Sequence, residues 1–416
     1  MTGVAIGLDL GTSGVRAALV DEVGAPVAFA SAPIESARRR DPDTWWDAAT
    51  RALDALGAQA DFGGVRALAV DGTSGTVLVV DEDGRPLGPA SLYNDRADPE
   101  AVARVAATAP LESAAHGVTS PAARLLGMSA RAGAGWLLHE ADWLAGRLCG
   151  RFGVSDENNA LKTGYDPIAR RWPDWLAHCG LQVALLPRVE PPGTVVAQVL
   201  PAVATRFGLP GHALVATGTT DGCAAFLATG ATAVGDGVTS LGSTLTIKLL
   251  SDRPVFAPRF GIYSHRLGDT WLPGGASNSG GAALARHFDA ATLARLSARI
   301  DPARDSGLDY YPLPAPGERF PIADAALVPR EAPRPVDDVA FLHGLLEGIA
   351  RIEALGYQRL AELGAPALRR LRTVGGGAAN PAWTALRARI LGVTTAPARS
   401  EEAAVGAAGL ALRAVA

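Results

Sequence analysis

Cysteine and lysine are scarce in this chain of 416 residues, and each scarcity excludes a class of protein. Cys149, Cys179 and Cys223 are too widely spaced for a zinc site or a disulfide framework. At least one of them must stay unpaired, which favours buried thiols in a reducing compartment, so a cytoplasmic protein is expected. The lysines, Lys162 and Lys248, do not follow a P-loop glycine pattern, so a Walker-type nucleotide site is excluded.

The chain also lacks a long uncharged apolar run and a strong excess of charge. Asp9 interrupts the first apolar stretch and no run reaches membrane-spanning length, so neither a signal peptide nor a membrane partner is expected. A formal net charge of -4 gives no reason to expect nucleic acid as a partner, and the run 38–40 of three arginines is interpreted as solvated surface. An apolar content of 48% over this length predicts two domains, and nothing indicates an oligomeric state.

The stretch from Ile6 to Val20 is the most informative part of the chain. It predicts two short strands joined by the turn Gly11-Thr12-Ser13-Gly14, in which backbone N–H groups and hydroxyls are available to an anion. That chemistry suits a phosphate, and Asp9 at the strand end could hold a hydrated Mg²⁺. The alternative is an ordinary hairpin in which Asp9 merely caps the turn.

Two further polar segments follow the predicted strand Val65 to Val70. The first is the turn Asp71-Gly72-Thr73-Ser74-Gly75, which precedes another strand, Thr76 to Val80. The second is Tyr93-Asn94-Asp95-Arg96, whose aromatic, amide, carboxylate and guanidinium groups could bind a polyol. On spacing alone, a salt bridge within the loop, between Arg96 and Asp95 or Asp98, is the favoured interpretation of that segment.

The second half of the chain repeats some of these patterns. Asp221 follows a predicted strand and precedes a helix of small residues, so it is either a helix cap or a base open to a cleft. Val238 to Leu249 again predicts a strand, a turn with glycine and hydroxyls at Gly242-Ser243-Thr244, and a strand, which suggests duplicated halves. After the strand 371–374, glycines 375–377 could let a flat group approach the backbone, with Asn380 and Trp383 bonding and packing an adenosine.

Coarser predictions cover the remaining segments. Strands and helices in this order predict mixed sheets backed by helices. Residues 110–180 are expected to be mostly helical, including 131–148, and 188–201 to be a connection. Eight prolines predict a loop over 302–335, and an apolar stripe predicts a helix over 337–363.

Taken in order, these segments resemble the FGGY carbohydrate kinases. The resemblance spans nearly the whole chain and rests on seven blocks: Asp9-Leu10-Gly11-Thr12-Ser13-Gly14, Asp43-Thr44-Trp45-Trp46, Tyr93-Asn94-Asp95-Arg96, Thr220-Asp221-Gly222, Gly242-Ser243-Thr244, Gly375-Gly376-Gly377-Ala378-Ala379-Asn380 and Glu402-Ala403-Ala404-Val405-Gly406-Ala407-Ala408. It implies an α/β fold of two ribonuclease-H-like (actin-like ATPase) domains with a nucleotide cleft between them. The sugar-binding domain would comprise 1–228 plus 402–416, and the nucleotide-binding domain 229–401.

The resemblance also implies roles for single residues. Asp221 would be the catalytic base, and Asp9 the acid linked to Mg²⁺. The sugar would be bound by Asp9, Ser74 and Asp221, with Asp95 and Arg96 at its rim. ATP would be bound by two phosphate turns and an adenosine border: Gly11, Thr12, Ser13, Gly242, Ser243, Thr244, Gly376, Gly377, Asn380 and Trp383.

The segment after Val70 bears on the substrate. It lacks the Gln, Arg and Glu that glycerol kinases place there, and also the Met-His pair of xylulose kinases. Its small hydroxyl residues, in a short chain, look like the compact D-ribulose (xylulokinase-like) kinases of plants and cyanobacteria. ATP-dependent phosphorylation of a ketopentose, D-ribulose foremost, is therefore expected.

Other functions remain open at this point. Xylulose or another polyol is an alternative substrate within the family. An actin- or chaperone-like ATPase would share the fold but would have no evident need for the Tyr93–Arg96 loop together with Asp221. A sugar-binding protein without catalysis is disfavoured by the presence of both Asp9 and Asp221.

Overall fold

The computed structural model describes residues 4–416, so Met1 to Gly3 of the expected first domain lie outside the described residues. The strands are β1 (Ala5–Gly11), β2 (Gly14–Val20), β3 (Pro26–Pro33), β4 (Ala67–Gly72), β5 (Val77–Val80), β6 (Trp136–His139), β7 (Val154–Asp156), β8 (Arg188–Glu190), β9 (Val195–Gln198), β10 (Leu214–Thr220), β11 (Asp236–Leu241), β12 (Leu245–Leu249), β13 (Ser264–Leu267), β14 (Thr270–Ser277), β15 (Arg370–Val374) and β16 (Thr394–Ala396). The helices are α1 (Pro42–Gly57), α2 (Pro99–Thr108), α3 (Pro121–Met128), α4 (Glu140–Cys149), α5 (Glu157–Leu161), α6 (Trp175–His178), α7 (Pro201–Phe207), α8 (Asp221–Ala228), α9 (Gly281–Ala285), α10 (Ala290–Ser297), α11 (Asp338–Glu362), α12 (Pro381–Leu391) and α13 (Ala403–Arg413).

These elements form two compact units. The first contains the chain up to Ala228, the short segment His265–Gly268 and the terminus Glu402–Ala416. The second contains Thr229–Ser264 and Asp269–Glu401. Each unit has its own mixed sheet and helices, so the expected α/β class with two sheet-containing domains is confirmed.

The sheet of the first unit has the strand order β3-β2-β1-β4-β10-β9. The hairpin β1–β2 is antiparallel, whereas β1, β4 and β10 run parallel to one another, so their carboxyl ends lie at the same edge. Parallel strands are covered on both faces, which is why β4 is buried at every position.

Helix α13 covers this sheet at very close range. A Cβ atom on Gly7 of β1 would lie 1.9 Å from the carbonyl oxygen of Ala404, and one on Gly406 would lie 1.9 Å from that of Ala224 in α8. Only glycine fits at these two contacts. The small residues of the last block therefore allow the C-terminal helix to pack onto β1 and α8 within the first unit.

The sheet of the second unit repeats this arrangement. The strands that lie wholly within the unit run in the order β14-β12-β11-β15-β16. As in the first sheet, β11 pairs antiparallel with β12 and parallel with β15. The long helix α11 supplies Phe341, Leu345 and Ile349 to the core, and its N-cap Asp337 agrees with the helix predicted over 337–363.

Two coarse predictions were wrong. Residues 131–148 are not continuous helix, because Trp136–His139 forms β6 and pairs antiparallel with β5 before α4 begins. The connection over 188–201 contains two strands, β8, which pairs with β7, and β9, which pairs with β10. By contrast, residues 302–335 contain no helix or longer strand, as their prolines predict. Among residues 4–416, no helix is both long and apolar enough to cross a membrane.

Candidate active site

Three carboxylates meet at the carboxyl edge of the first sheet. Asp9 of β1 lies opposite Asp71 of β4 in the parallel ladder, and Asp71 lies opposite Thr219 of β10. Asp221 follows at the end of β10 as the first residue of α8. Asp71 interacts electrostatically with both Asp9 and Asp221, so the structure brings together two acids that are 212 positions apart in sequence (221 minus 9).

Asp71 is the residue that sequence reasoning missed, because the turn it begins was assigned a role only at Ser74. Its side chain is fully buried, and within residues 4–416 no N–H or hydroxyl group donates to either oxygen. Burial raises the pKa of Asp71 well above its usual value, and the charges of Asp9 and Asp221 raise it further. The signal available in the sequence was its position directly after a buried strand, which is where Asp221 also stands.

Asp9 is buried and lies beside a cation of the neighbouring strand. Arg16, its partner across the hairpin, donates from Nη1 to Oδ2 at 3.1 Å, while Arg16 itself is half-exposed. No group of three or more acidic, histidine or cysteine residues with a metal-binding arrangement occurs among residues 4–416. Mg²⁺ commonly takes one or two carboxylates and completes its shell with phosphate and water, so Asp9, with Asp71 beside it, fits this ion.

Asp221 occupies a helix start with small neighbours. It is half-buried, and the N–H of Gly222 donates to its Oδ1 at 2.6 Å. Cys223 and Ala224 follow it, so no large side chain adjoins it in the first turn of α8. The carboxylate is thus oriented by the backbone while remaining partly accessible, which is compatible with a proton acceptor.

The turn 71–75 presents one hydroxyl that no protein group uses. The Oγ atom of Ser74 is buried and has no hydrogen-bond partner among the described residues. Its neighbour Thr73 is held by Glu140, which in turn pairs with Arg39 at 2.6 Å. The interpretation of residues 38–40 as solvated surface was therefore wrong for Arg39, which is 3% exposed.

The loop Tyr93–Arg96 divides into a bound and an exposed part. Asp95 pairs with Arg40 through two hydrogen bonds of 2.5 and 2.6 Å, and these bonds lower the pKa of that carboxyl. Arg96 is exposed, as is the ring of Tyr93. The expected salt bridge within the loop was therefore wrong in its partner, because Asp95 pairs with Arg40, 55 residues earlier in the chain, and not with Arg96.

The two glycine and hydroxyl turns are both open to solvent. Thr12 and Ser13 are exposed between β1 and β2, and Gly14 is needed because a Cβ there would lie 2.4 Å from the carbonyl oxygen of Ala32. In the second unit, Gly242 and Ser243 are exposed between β11 and β12. Their carbonyl groups accept hydrogen bonds from the first amides of α9, which fixes this turn against the helix.

The second unit contains a cavity of about 910 Å³ beside its turn. It has the size and mostly apolar lining of a cofactor pocket. Among the residues named from the sequence, those that line it are Gly242, Ser243, Gly376, Gly377, Asn380 and Trp383. Thr244 is not part of the lining, whereas sequence reasoning missed the wall formed by α9 and α10, including Leu293 and Ser297.

Close packing shapes one wall of this cavity. A Cβ atom on Gly377 would lie 2.6 Å from Cβ of Leu241 and 2.7 Å from Cζ3 of Trp383, so a side chain there would displace the indole. Asn380 caps α12 by accepting from the N–H of Trp383, and its Nδ2 donates to Ser297 at 2.8 Å. The amide of Asn380 is therefore engaged in holding α12 to α10.

Comparison with known proteins identifies the family. Residues 4–113 match the N-terminal domain of the FGGY family of carbohydrate kinases, and residues 237–415 match its C-terminal domain. The chain belongs to the FGGY family of carbohydrate kinases. The expected family is thereby confirmed, whereas the D-ribulose kinase subgroup stays a prediction.

Individual FGGY relatives include several xylulose kinases. The one from Streptomyces rubiginosus is 30% identical over 441 aligned positions, which cover 97% of this chain and 86% of that protein. The one from Escherichia coli (strain K12) is 29% identical over 287 residues, and the alignment covers 64% of this chain and 58% of that protein, less than two thirds of its length. The crystal structure of the xylulose kinase from Rhodospirillum rubrum superposes with a TM-score of 0.82 at 26% identity, covering 98% of this chain and 88% of that one.

Proposed function

We propose that this protein phosphorylates the terminal hydroxyl of a ketopentose with ATP, D-ribulose foremost. The observation that carries the proposal is the set of carboxylates at the edge of the first sheet, where the buried Asp71 lies beside Asp9 and Asp221 and receives no N–H or hydroxyl donor from residues 4–416. Buried acids without partners cost stability, and such sites are typical of function. Family membership supplies the reaction class.

In this mechanism, Asp221 accepts the proton of the sugar hydroxyl as its oxygen attacks the γ-phosphoryl group of ATP, and ADP leaves with the bridging oxygen. Asp9 and the hydroxyl of Ser74 orient the sugar. Thr12 and Ser13, together with the turn 242–244, supply donors to the phosphates, and the cavity of the second unit takes the adenosine. Mg²⁺, bound near Asp9, would offset the negative charge of the phosphates.

The identity of the sugar depends on the turn 71–75. Oγ of Ser74 has no partner among the described residues and can hydrogen-bond a sugar hydroxyl. We assign D-ribulose to this turn because its small hydroxyl residues resemble those of the compact D-ribulose kinases. The second candidate is D-xylulose, because the relatives quoted above are xylulose kinases. Both are ketopentoses that differ at one stereocentre, so the reaction chemistry is the same for each.

A substrate screen tests this proposal. Purified protein is incubated with ATP and, in turn, D-ribulose, D-xylulose, glycerol or no acceptor, while ADP release is followed and the phosphorylated product is identified by mass spectrometry and ³¹P NMR. We expect kcat/KM for D-ribulose to exceed that for D-xylulose by about tenfold, which corresponds to one hydrogen bond worth about 1.4 kcal/mol. The reverse ratio would assign D-xylulose. Release of ADP without acceptor, and without a sugar phosphate, would instead indicate an ATPase.

A further inference from the structure

A buried ion pair lies directly behind the turn 71–75. Glu140, the first residue of α4, is completely buried, and its Oε2 accepts a hydrogen bond of 2.6 Å from Nη2 of Arg39. Arg39 is also buried and packs over the ring of Trp45, with its guanidinium carbon 5.0 Å from the ring centroid. Its Nε and Nη1 atoms have no partner among the described residues, so Glu140 is the group that compensates its charge.

The second carboxylate oxygen of Glu140 holds the turn. Oε1 accepts the N–H of Thr73 at 2.7 Å and its hydroxyl at 2.6 Å. The Thr73 hydroxyl also lies 2.7 Å from that of Thr76. At Gly72, a Cβ atom would lie 3.0 Å from Cγ of Glu140, so the carboxylate side chain lies against the backbone of the turn.

The turn is thus fixed on one side and unpartnered on the other. Thr73 binds Glu140 through its amide and its hydroxyl, whereas Oγ of Ser74 has no hydrogen-bond partner among the described residues. No N–H or hydroxyl of the described chain donates to Asp71, whose neighbour is the carboxyl group of Asp9. Buried polar atoms are normally satisfied, so oxygens left without partners beside a rigidly held residue indicate a ligand that completes them.

Building on the proposed kinase function, we propose that Glu140 and Arg39 are positioning residues that hold the turn 71–75 in the shape that binds the ketopentose. Neither side chain touches the sugar. Arg39 fixes the orientation of the Glu140 carboxylate, and Glu140 transmits that orientation to Thr73 and hence to Ser74. The pair therefore sets the affinity for sugar and leaves the affinity for ATP unchanged.

The test compares Glu140→Gln with the double variant Arg39→Met/Glu140→Gln. In the single variant, the introduced amide can point its oxygen toward Arg39, and its NH₂ group then meets the N–H of Thr73. Alternatively it can point its oxygen toward Thr73, and its NH₂ group then meets the guanidinium of Arg39. Either orientation weakens the hydrogen bonds that fix Thr73. We expect KM for the ketopentose to rise about tenfold while KM for ATP stays within about twofold. In the double variant no charge remains to compete, so the oxygen of the introduced amide returns to Thr73 and KM for the sugar falls back toward the wild-type value.

The second unit offers a matched control. Glu353 and Arg387 form another fully buried pair, with two hydrogen bonds of 2.6 Å, and both residues belong to the second unit, whereas the turn 71–75 belongs to the first. Glu353→Gln should lower the unfolding temperature as much as Glu140→Gln does, yet leave KM for the ketopentose unchanged. An unchanged sugar KM in Glu140→Gln, or an equal rise in Glu353→Gln, would overturn the proposal.

A second readout separates this proposal from the function on which it rests. Amide hydrogen exchange over 71–76 is measured without substrate, and Glu140→Gln should accelerate it at least tenfold whereas Glu353→Gln should not. Suppose that the wild-type protein phosphorylates no ketopentose but that Glu140→Gln still accelerates exchange over 71–76. The assigned substrate is then wrong, whereas the role of Glu140 in fixing the turn is supported. Unaltered exchange in Glu140→Gln would refute the positioning role itself.

Discussion

Each unit contains an antiparallel hairpin whose first strand also pairs with a parallel strand: β1–β2 with β4 in the first unit, and β11–β12 with β15 in the second. At equivalent positions the two arrangements carry side chains of different chemistry. Two residues before the end of β1, Asp9 lies opposite Asp71 of β4, and two residues before the end of β11, Thr239 lies opposite Thr373 of β15. Thr239 donates to Glu353 at 2.5 Å, and Arg387 donates to Thr373 at 2.7 Å. The second pair therefore belongs to a closed network, whereas Asp71 has no donor among the described residues.

This difference shows what each sheet edge contributes. A satisfied buried network stabilises one arrangement of the chain, whereas a buried carboxylate without a partner destabilises the fold and is retained where chemistry requires it. The same backbone topology thus supports a structural edge in the second unit and, in our proposal, the reactive edge in the first. Exchanging the side chains between the two edges should exchange their properties.

The largest expected effect comes from Thr239→Asp, which would give the second edge the acid of the first. The new carboxylate would stand next to Glu353 in a fully buried site, so the two charges would share the single cation of Arg387. We expect the free energy of unfolding to fall by about 3 kcal/mol or more, measured by urea denaturation. Thr239→Ser, which keeps the hydroxyl, should cost only about 1 kcal/mol. Equal losses in both variants would show that charge is unimportant at this edge.

The reverse exchange, Asp71→Thr, should have the opposite sign on stability. It removes a buried carboxylate without a donor, so we expect the protein to gain about 1 to 2 kcal/mol in urea denaturation. The rate of sugar phosphorylation should fall at least about tenfold at saturating ATP, because Asp71 is the acid that lies beside both Asp9 and Asp221. A loss of stability, or full activity, would show that Asp71 is an ordinary structural residue.

Trp383→Leu tests the nucleotide side of the comparison. The indole lines the cavity of the second unit and is 3% exposed. Losing its face should raise KM for ATP about tenfold, a loss near 1.4 kcal/mol, without changing KM for the ketopentose. Trp172→Leu, at a half-buried indole of the first unit that donates to Pro187, serves as the control and should leave KM for ATP unchanged. If Trp383→Leu instead raised only KM for the ketopentose, the assignment of this cavity to ATP would be wrong.

The last effect appears only as a change in pH dependence and concerns Asp156, a buried acid of the first unit at the start of α5. Burial, with the charge of Asp142, raises the pKa of Asp156 to about 7. The folded protein therefore keeps a proton that the unfolded chain releases near pH 4, and stability from this group declines as pH rises from about 4 to 7. Asp156→Asn should flatten the stability profile in that window by up to about 1.4 kcal/mol per pH unit. The exposed cap variant Asp289→Asn, whose carboxyl has a lowered pKa, should leave that window unchanged, and a steeper profile in Asp156→Asn would contradict the assignment.

Local patterns determined which parts of the fold could be predicted. Helix α11 was predicted almost to its ends, because its apolar stripe is long and Asp337 is a strong N-cap. Strand β6 was missed because its four residues adjoin a helix, and only pairing with β5, far back in the chain, makes them a strand.

The same limit applies to the site. The phosphate-type turns could be recognised because glycine and hydroxyl residues are adjacent in sequence. Arg39 was placed at the surface since it lies in a run of arginines, and its partner Glu140 is 101 residues away. The position of Asp71 directly after a predicted buried strand was a local signal, but its place beside Asp9 follows only from the register of β4 with β1, which is not local.

The central claim is that the acids of the first sheet edge carry the chemistry, and Asp221→Asn tests it most directly. In rapid-quench single-turnover experiments with saturating ATP and ketopentose, we predict that formation of sugar phosphate slows at least about a thousandfold, within the range of general-base catalysis. Nucleotide affinity, measured by calorimetry, should stay within about twofold, as should every parameter of the control Asp338→Asn at the exposed start of α11. An Asp221→Asn protein that transfers the phosphoryl group at the wild-type rate would contradict the account.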